Sequence, residues 1–203
     1  MGFERTSNEH YKELHKIYRD NIDLFHPIYK IGDTIFSHAG ICSGWINVLN
    51  KRFEFDKVNF QLTQDNIIDY INNEWNLELK NDKATQMGWY MVLNSPLFDI
   101  GRSRGGDCAY GGPFWADLYD DHWNRPFDWN YYQITGHQQR EATGTVYTDD
   151  GLASLDSRAI FEYNPENHVI VPSQLNDEET KEKIPNTAWK GTTIRFREDY
   201  EES

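Results

Sequence analysis

Apolar side chains recur at three- and four-residue intervals through the first half of the chain and cluster in short β-branched runs through the second. That pattern predicts helices followed by strands. Residues 7–25 carry Tyr11, Leu14, Tyr18 and Ile22, joined by Ile17, Leu24 and Phe25, on one helical stripe, with Ser7 and Asn8 able to cap it. Pro27 blocks continuation, so 26–31 reads as a short strand, and Gly32-Asp33 turns it into a second strand, Thr34-Ile35-Phe36-Ser37. Ser43 can cap a helix over 44–49, where Trp45 and Leu49 share a face. Residues 64–79 form the strongest helical pattern, with Ile67, Ile68, Ile71, Trp75 and Leu79 spaced as a core stripe. A short helix over 84–93 ends at Ser95-Pro96. Beyond residue 131 the period changes, giving strands at 133–135, 145–148, 152–155, 159–163 and 168–171. Asp149-Asp150-Gly151 and Asn164-Pro165 make turns between them, and 193–197 alternates like an edge strand. The fold class is therefore α/β.

Composition narrows the partners. A chain of 203 residues buries roughly 70% of its unfolded surface, and seven Trp, twelve Tyr and eleven Phe give it a heavy aromatic core. The formal net charge of −13 argues against a nucleic-acid surface, which needs a basic stripe. A phosphate-bearing ligand would need local positive charge from arginines or metal ions. The two cysteines, Cys42 and Cys108, lack any metal-binding spacing and point to a reduced, cytoplasmic setting. No apolar run approaches the ~20 residues of a membrane helix, and no membrane partner is expected. Met1-Gly2-Phe3-Glu4-Arg5-Thr6 fits a myristoylation pattern by letter alone.

Candidate chemistry gathers at strand ends. Ile35-Phe36 runs into Ser37-His38-Ala39-Gly40, and Gln133-Ile134-Thr135 runs into Gly136-His137. In open α/β sheets ligands collect at the carboxyl ends of strands. Neutral imidazole is the commonest protein ligand for transition metals, so His38 and His137 are candidate metal ligands. The competing reading is two hydrogen-bonded structural histidines. His10, His15 and His26 have no such pattern and read as surface or packing residues. Between the two strands, Arg102-Ser103-Arg104-Gly105-Gly106 and Gly111-Gly112-Pro113 combine guanidinium groups with permissive backbone. That combination suits a phosphate, although a solvated surface loop has the same composition. Asp117 suits either a turn or the orientation of an arginine or ligand. Asp156 suits a turn equally well.

In order, Phe36-Ser37-His38-Ala39-Gly40-Ile41, Gly111-Gly112-Pro113-Phe114-Trp115-Ala116-Asp117, Gly136-His137-Gln138 and Leu155-Asp156-Ser157 resemble the C-terminal two thirds of a calcineurin-like metallophosphoesterase. The likeness is to the phosphoprotein-phosphatase-like branch of bacteria and phages, over about residues 2–171. It implies the C-terminal part of a β-sandwich flanked by helices, with a partial phosphoesterase domain over 1–172 and an acidic tail over 173–203. It also implies hydrolysis of a phosphoprotein or small phosphoester by a metal-bound hydroxide, with two divalent ions (Mn²⁺, or Zn²⁺ or Fe). His38 and His137 match the histidines on the second metal. Arg104, more than Arg102, matches the phosphate-gripping arginine, and Asp156 matches the acidic residue after its strand. The family's G-D-x-H-G, G-D-x-x-D-R-G and G-N-H-[DE] motifs, which ligate the first metal, do not occur in this sequence. The resemblance thus implies a phosphatase inactive or weakly active by itself. Its alternatives are a non-catalytic phospho-ligand binder acting through Arg102 and Arg104, and one half of a split enzyme. A chain lacking its N-terminal half is expected to self-associate through uncovered strands.

Overall fold

The helices follow the apolar stripes, but their ends are set by local polar contacts. The computed structural model describes residues 8–81, 95–117, 131–137, 147–149, 152–155, 160–178 and 189–190. Helix α1 (Asn8–Asp20) is shorter than its stripe, and a single 3-10 turn, Ile22–Leu24, follows it. Asn21 leaves the helical region at φ −126°, and its amide donates back to the Ile17 carbonyl at 2.9 Å, closing the last turn. The inward side of α1 is centred on fully buried His15, whereas Leu14 and Ile17 are 43% and 47% exposed. The stripe is therefore rotated, because a packing histidine occupies its middle.

Helix α2 (Ser43–Phe55) runs well past the 44–49 segment expected from its pattern. Its cap is Cys42, not Ser43: the Cys42 Sγ accepts from the Trp45 N–H at 3.4 Å. The extra turns carry Phe53, which continues the Trp45–Leu49 stripe and packs against Phe60 and Tyr70, while Phe55 is exposed among Lys51, Arg52 and Glu54. Asn50 holds them down by bonding both backbone groups of Leu62, at 2.7 and 3.2 Å. Helix α3 (Ile67–Leu79) buries Ile67, Ile71, Trp75 and Leu79, one residue per turn. These side chains join Ile28, Ile35, Ile41, Trp45 and Leu49 in the main core.

Five strands form a mixed sheet in the order β1-β2-β3-β5-β4: β1 (Ile28–Ile31), β2 (Thr34–Ser37), β3 (Tyr132–Thr135), β4 (Tyr147–Asp149) and β5 (Leu152–Ser154). The three central strands, β2, β3 and β5, are mutually parallel, and each outer strand is antiparallel to its neighbour. Gly32, with φ +58°, takes the first of the two turn positions between β1 and β2, where a left-handed residue is needed. A second, antiparallel sheet contains β6 (Phe161–Asn164), β7 (Val169–Pro172) and β8 (Trp189–Lys190). Pleating divides the five-stranded sheet into two faces. Phe36, Ile134 and Ala153 pack against Ile170, Phe161 and Tyr163 of the second sheet, while Ile35 on the opposite face enters the helical core. The layers are second sheet, first sheet, helices. This is a mixed α/β architecture.

His168 stands at φ +56° where the loop between β6 and β7 closes. Its Nδ1 lies 2.9 Å from the Tyr163 hydroxyl, which also bonds Thr34, and its ring stacks on Tyr132 with centroids 3.8 Å apart. That network ties the hairpin to the start of β2. The boundary drawn after residue 172 does not mark an end of packing. Asn176 is buried and bonds both backbone groups of Ile160, at 2.7 and 2.9 Å, and β8 pairs with β7. The expected helix at 84–93 and strand at 193–197 lie outside the described residues. Among the described residues no helix is long and apolar enough to cross a membrane.

Candidate functional site at the carboxyl edge of the sheet

Parallel pairing continues beyond the ends of the central strands. The Gly136 N–H donates to the His38 carbonyl at 2.9 Å, and the Leu155 N–H to the Thr135 carbonyl at 2.7 Å. His38 and His137 therefore leave adjacent strands at the same edge. His137 Nδ1 lies 2.8 Å from His38 Nε2, with ring centroids 4.6 Å apart. When both rings are neutral, one nitrogen must donate and the other accept. The His38 ring faces solvent and His137 is half-buried.

The residues after His38 are fixed from three directions. The Ala39 N–H donates to the Pro113 carbonyl at 2.9 Å. Gly40 has φ +95°, a conformation that penalises any side chain. Gln133, buried on β3, clamps Ile41 with its amide, accepting from the Ile41 N–H at 2.9 Å and donating to the Ile41 carbonyl at 3.1 Å. The sequence reading missed Gln133. The available signal was a polar side chain on the core-facing side of a strand, which must find a partner.

The segment 113–117 runs beside both imidazoles. The Phe114 ring centroid is 6.3 Å from that of His38, and Phe114 is itself stacked on Phe98 at 4.9 Å and Trp75 at 5.5 Å. Trp115 presents its ring at 78° to His137, 5.7 Å away. Two residues on, buried Asp117 accepts from Arg104 Nε at 2.6 Å. This contact ties the Arg104 guanidinium to the segment that follows Trp115. Arg102 and Arg104 sit on one 3-10 turn, Arg102–Arg104, closed by Gly105 at φ +81°. Arg102 is exposed.

Three of the four paired glycines are packed against protein and form no open anion cradle, whereas Gly105, at φ +81°, faces open space. A Cβ on Gly111 would lie 2.1 Å from the Trp115 carbonyl oxygen, on Gly112 2.4 Å from that of Pro96, and on Gly106 2.1 Å from that of Ile100. Their backbone is packed against protein. Gly136, beside His137, has open space where a Cβ would stand. Nearby, burial pushes the Asp99 carboxyl and the Cys108 thiol above their ordinary values, and the two share a hydrogen bond. Cys108 thus stays a thiol rather than a thiolate nucleophile, and Cys42 and Cys108 are not joined in a disulfide. Asp156 and Gln138 lie outside the described residues.

At 2.8 Å the two ring nitrogens stand at hydrogen-bond distance. Two Zn–N bonds of about 2.0–2.1 Å at a tetrahedral angle set their nitrogens about 3.3–3.4 Å apart, so the rings would part by about half an ångström to share one ion. Among the described residues no set of three or more His, Cys, Asp or Glu side chains comes together as ligands. Comparisons with family models, with curated proteins and with solved structures found no match.

Proposed function

We propose that the chain is a metallophosphoesterase-type domain that engages a phosphate ester at the edge formed by His38 and His137. The observation that carries this reading is the convergence of two imidazole nitrogens to 2.8 Å at the carboxyl ends of adjacent parallel strands. A divalent cation bound there, Mn²⁺ or Zn²⁺, would neutralise phosphate charge and lower the pKa of a bound water. His38 and His137 would hold it, each as a neutral imidazole ligand. Arg104, held at Nε by Asp117, would supply the guanidinium charge for phosphate oxygens. In a protein of net charge −13, that local positive charge matters for any anionic ligand. Phe114 and Trp115 flank the two imidazoles.

Two ligands make a weak site. The sequence's lack of the motifs that ligate a first metal supports a second reading, phosphate binding without hydrolysis. Hydrolysis of p-nitrophenyl phosphate with Mn²⁺ separates the two. Turnover that is at least tenfold lower in His137→Ala and Arg104→Ala supports a phosphoesterase. Phosphate binding that depends on Arg104, without turnover, supports the binder. Neither binding nor turnover defeats both.

A further inference from the structure

Three hydroxyls lie side by side at the carboxyl edge of the parallel strands. Thr135 of β3 is registered with Ser154 of β5, and extending the Phe36–Ile134 register by one residue sets Ser37 of β2 beside Thr135. Pleating points all three away from Phe36, Ile134 and Ala153, onto the face that carries Ile35, Gln133 and Leu152. Thr135 and Ser154 are 3% and 2% exposed. All three hydroxyl oxygens are sealed from solvent and have no hydrogen-bond partner among the described residues.

A buried hydroxyl left unpaired costs about 1–3 kcal/mol, and three adjacent ones demand a ligand. Neighbouring strands stand about 4.7–4.9 Å apart, and the three hydroxyls make no bond to one another in this arrangement. One oxygen atom between each adjacent pair meets both partners at normal bond length. The two bridging positions are separated by about one strand spacing, more than the distance between two oxygens of one phosphate. No charged side chain belongs to the row, so an ion would be buried without compensation. The ligand is neutral and comes in two parts. We propose that Ser37, Thr135 and Ser154 form a buried hydration site that holds two structural waters, one in each gap, along the edge that also carries the imidazole pair.

The test is oxygen-17 magnetic relaxation dispersion, which counts long-lived internal waters, combined with thermal unfolding. Thr135→Val removes the central hydroxyl at nearly constant shape and should eliminate two long-lived waters while lowering Tm by about 2–4 °C or more. Ser154→Ala should eliminate one, and Thr135→Ser should keep both. The opposite pattern, an unchanged water count with a Tm raised by Thr135→Val, would show a dry row of unpaired hydroxyls and overturn the proposal. If Thr135→Val does not fold, an unchanged count in Ser154→Ala overturns it equally.

Discussion

Replacing Gln133 with leucine removes the clamp that positions the segment following His38. Ile41 is fully buried, and the Gln133 amide partners both its N–H and its carbonyl. Leucine has similar volume but offers neither contact, so two backbone groups lose a partner at about 1–3 kcal/mol each. Burial of the leucine side chain returns about 1.5–3 kcal/mol. The net expectation is a loss of about 1–3 kcal/mol, a sizeable share of a typical 5–15. Gln133→Glu sharpens the argument. Its carboxylate still accepts from the Ile41 N–H, but its second oxygen then faces the Ile41 carbonyl, acceptor against acceptor. Only the protonated acid can donate there, so the folded-state pKa of this glutamate rises above its unfolded value of about 4.3. The proton-linked stability is present in full below that value and lost as pH rises through the folded pKa. Urea unfolding followed by Trp fluorescence should therefore show Gln133→Glu clearly weaker than wild type at pH 7 and close to it near pH 4. A neutral or stabilising Gln133→Leu, or a Gln133→Glu deficit that does not change with pH, would refute the clamp.

Four further outcomes follow from the packing. Burial holds His15 below its ordinary value of 6.5, so the unfolded chain takes up a proton that the folded chain refuses. Wild-type stability should fall as pH drops from 7 to 5, and equilibrium unfolding of His15→Gln should show a shallower decline. Burial, with Glu74 adding to it, raises Glu78 above 4.5, so its ionisation opposes folding at neutral pH. Glu78→Gln should raise Tm at pH 7, with the gain shrinking towards pH 4. Gly112→Ala must displace the Pro96 and Leu97 carbonyls, at 2.4 and 2.6 Å from the new carbon, and should lose about 1–3 kcal/mol in urea unfolding. Gly136→Ala meets no neighbouring atom and should lose less than half as much.

Legibility in the sequence depended on whether a feature was carried by apolar spacing or by a polar contact between distant segments. The α3 stripe of Ile67, Ile71, Trp75 and Leu79 was plain, because each side chain reports its own burial. The hairpin through Gly32 and the strand ends at His38 and His137 were equally plain. Helix α2 was read too short although Phe53, four residues beyond Leu49, continues its stripe; what spacing could not show is the hold of Asn50 on Leu62, twelve residues away. Leu14 and Ile17 were read as inward, since nothing local reveals that His15 takes the buried position on α1. The paired glycines suggested an open loop, but their neighbours, Pro96 and Trp115, are only visible in three dimensions. Asp117 was read as able to orient an arginine or a ligand, and Arg104 is the arginine it holds, a choice that spacing alone did not make.

The proposed site stands or falls on whether His38 and His137 hold one divalent ion together. Electron spin-echo spectroscopy of the chain titrated with Mn²⁺ reports imidazole nitrogens bonded to the ion. The account predicts coupling to two imidazoles at a single weak site, reduced to one in His38→Ala and in His137→Ala and accompanied in each by at least a tenfold loss of affinity. Mn²⁺ that binds with no imidazole coupling, or with unchanged affinity in both variants, would contradict it.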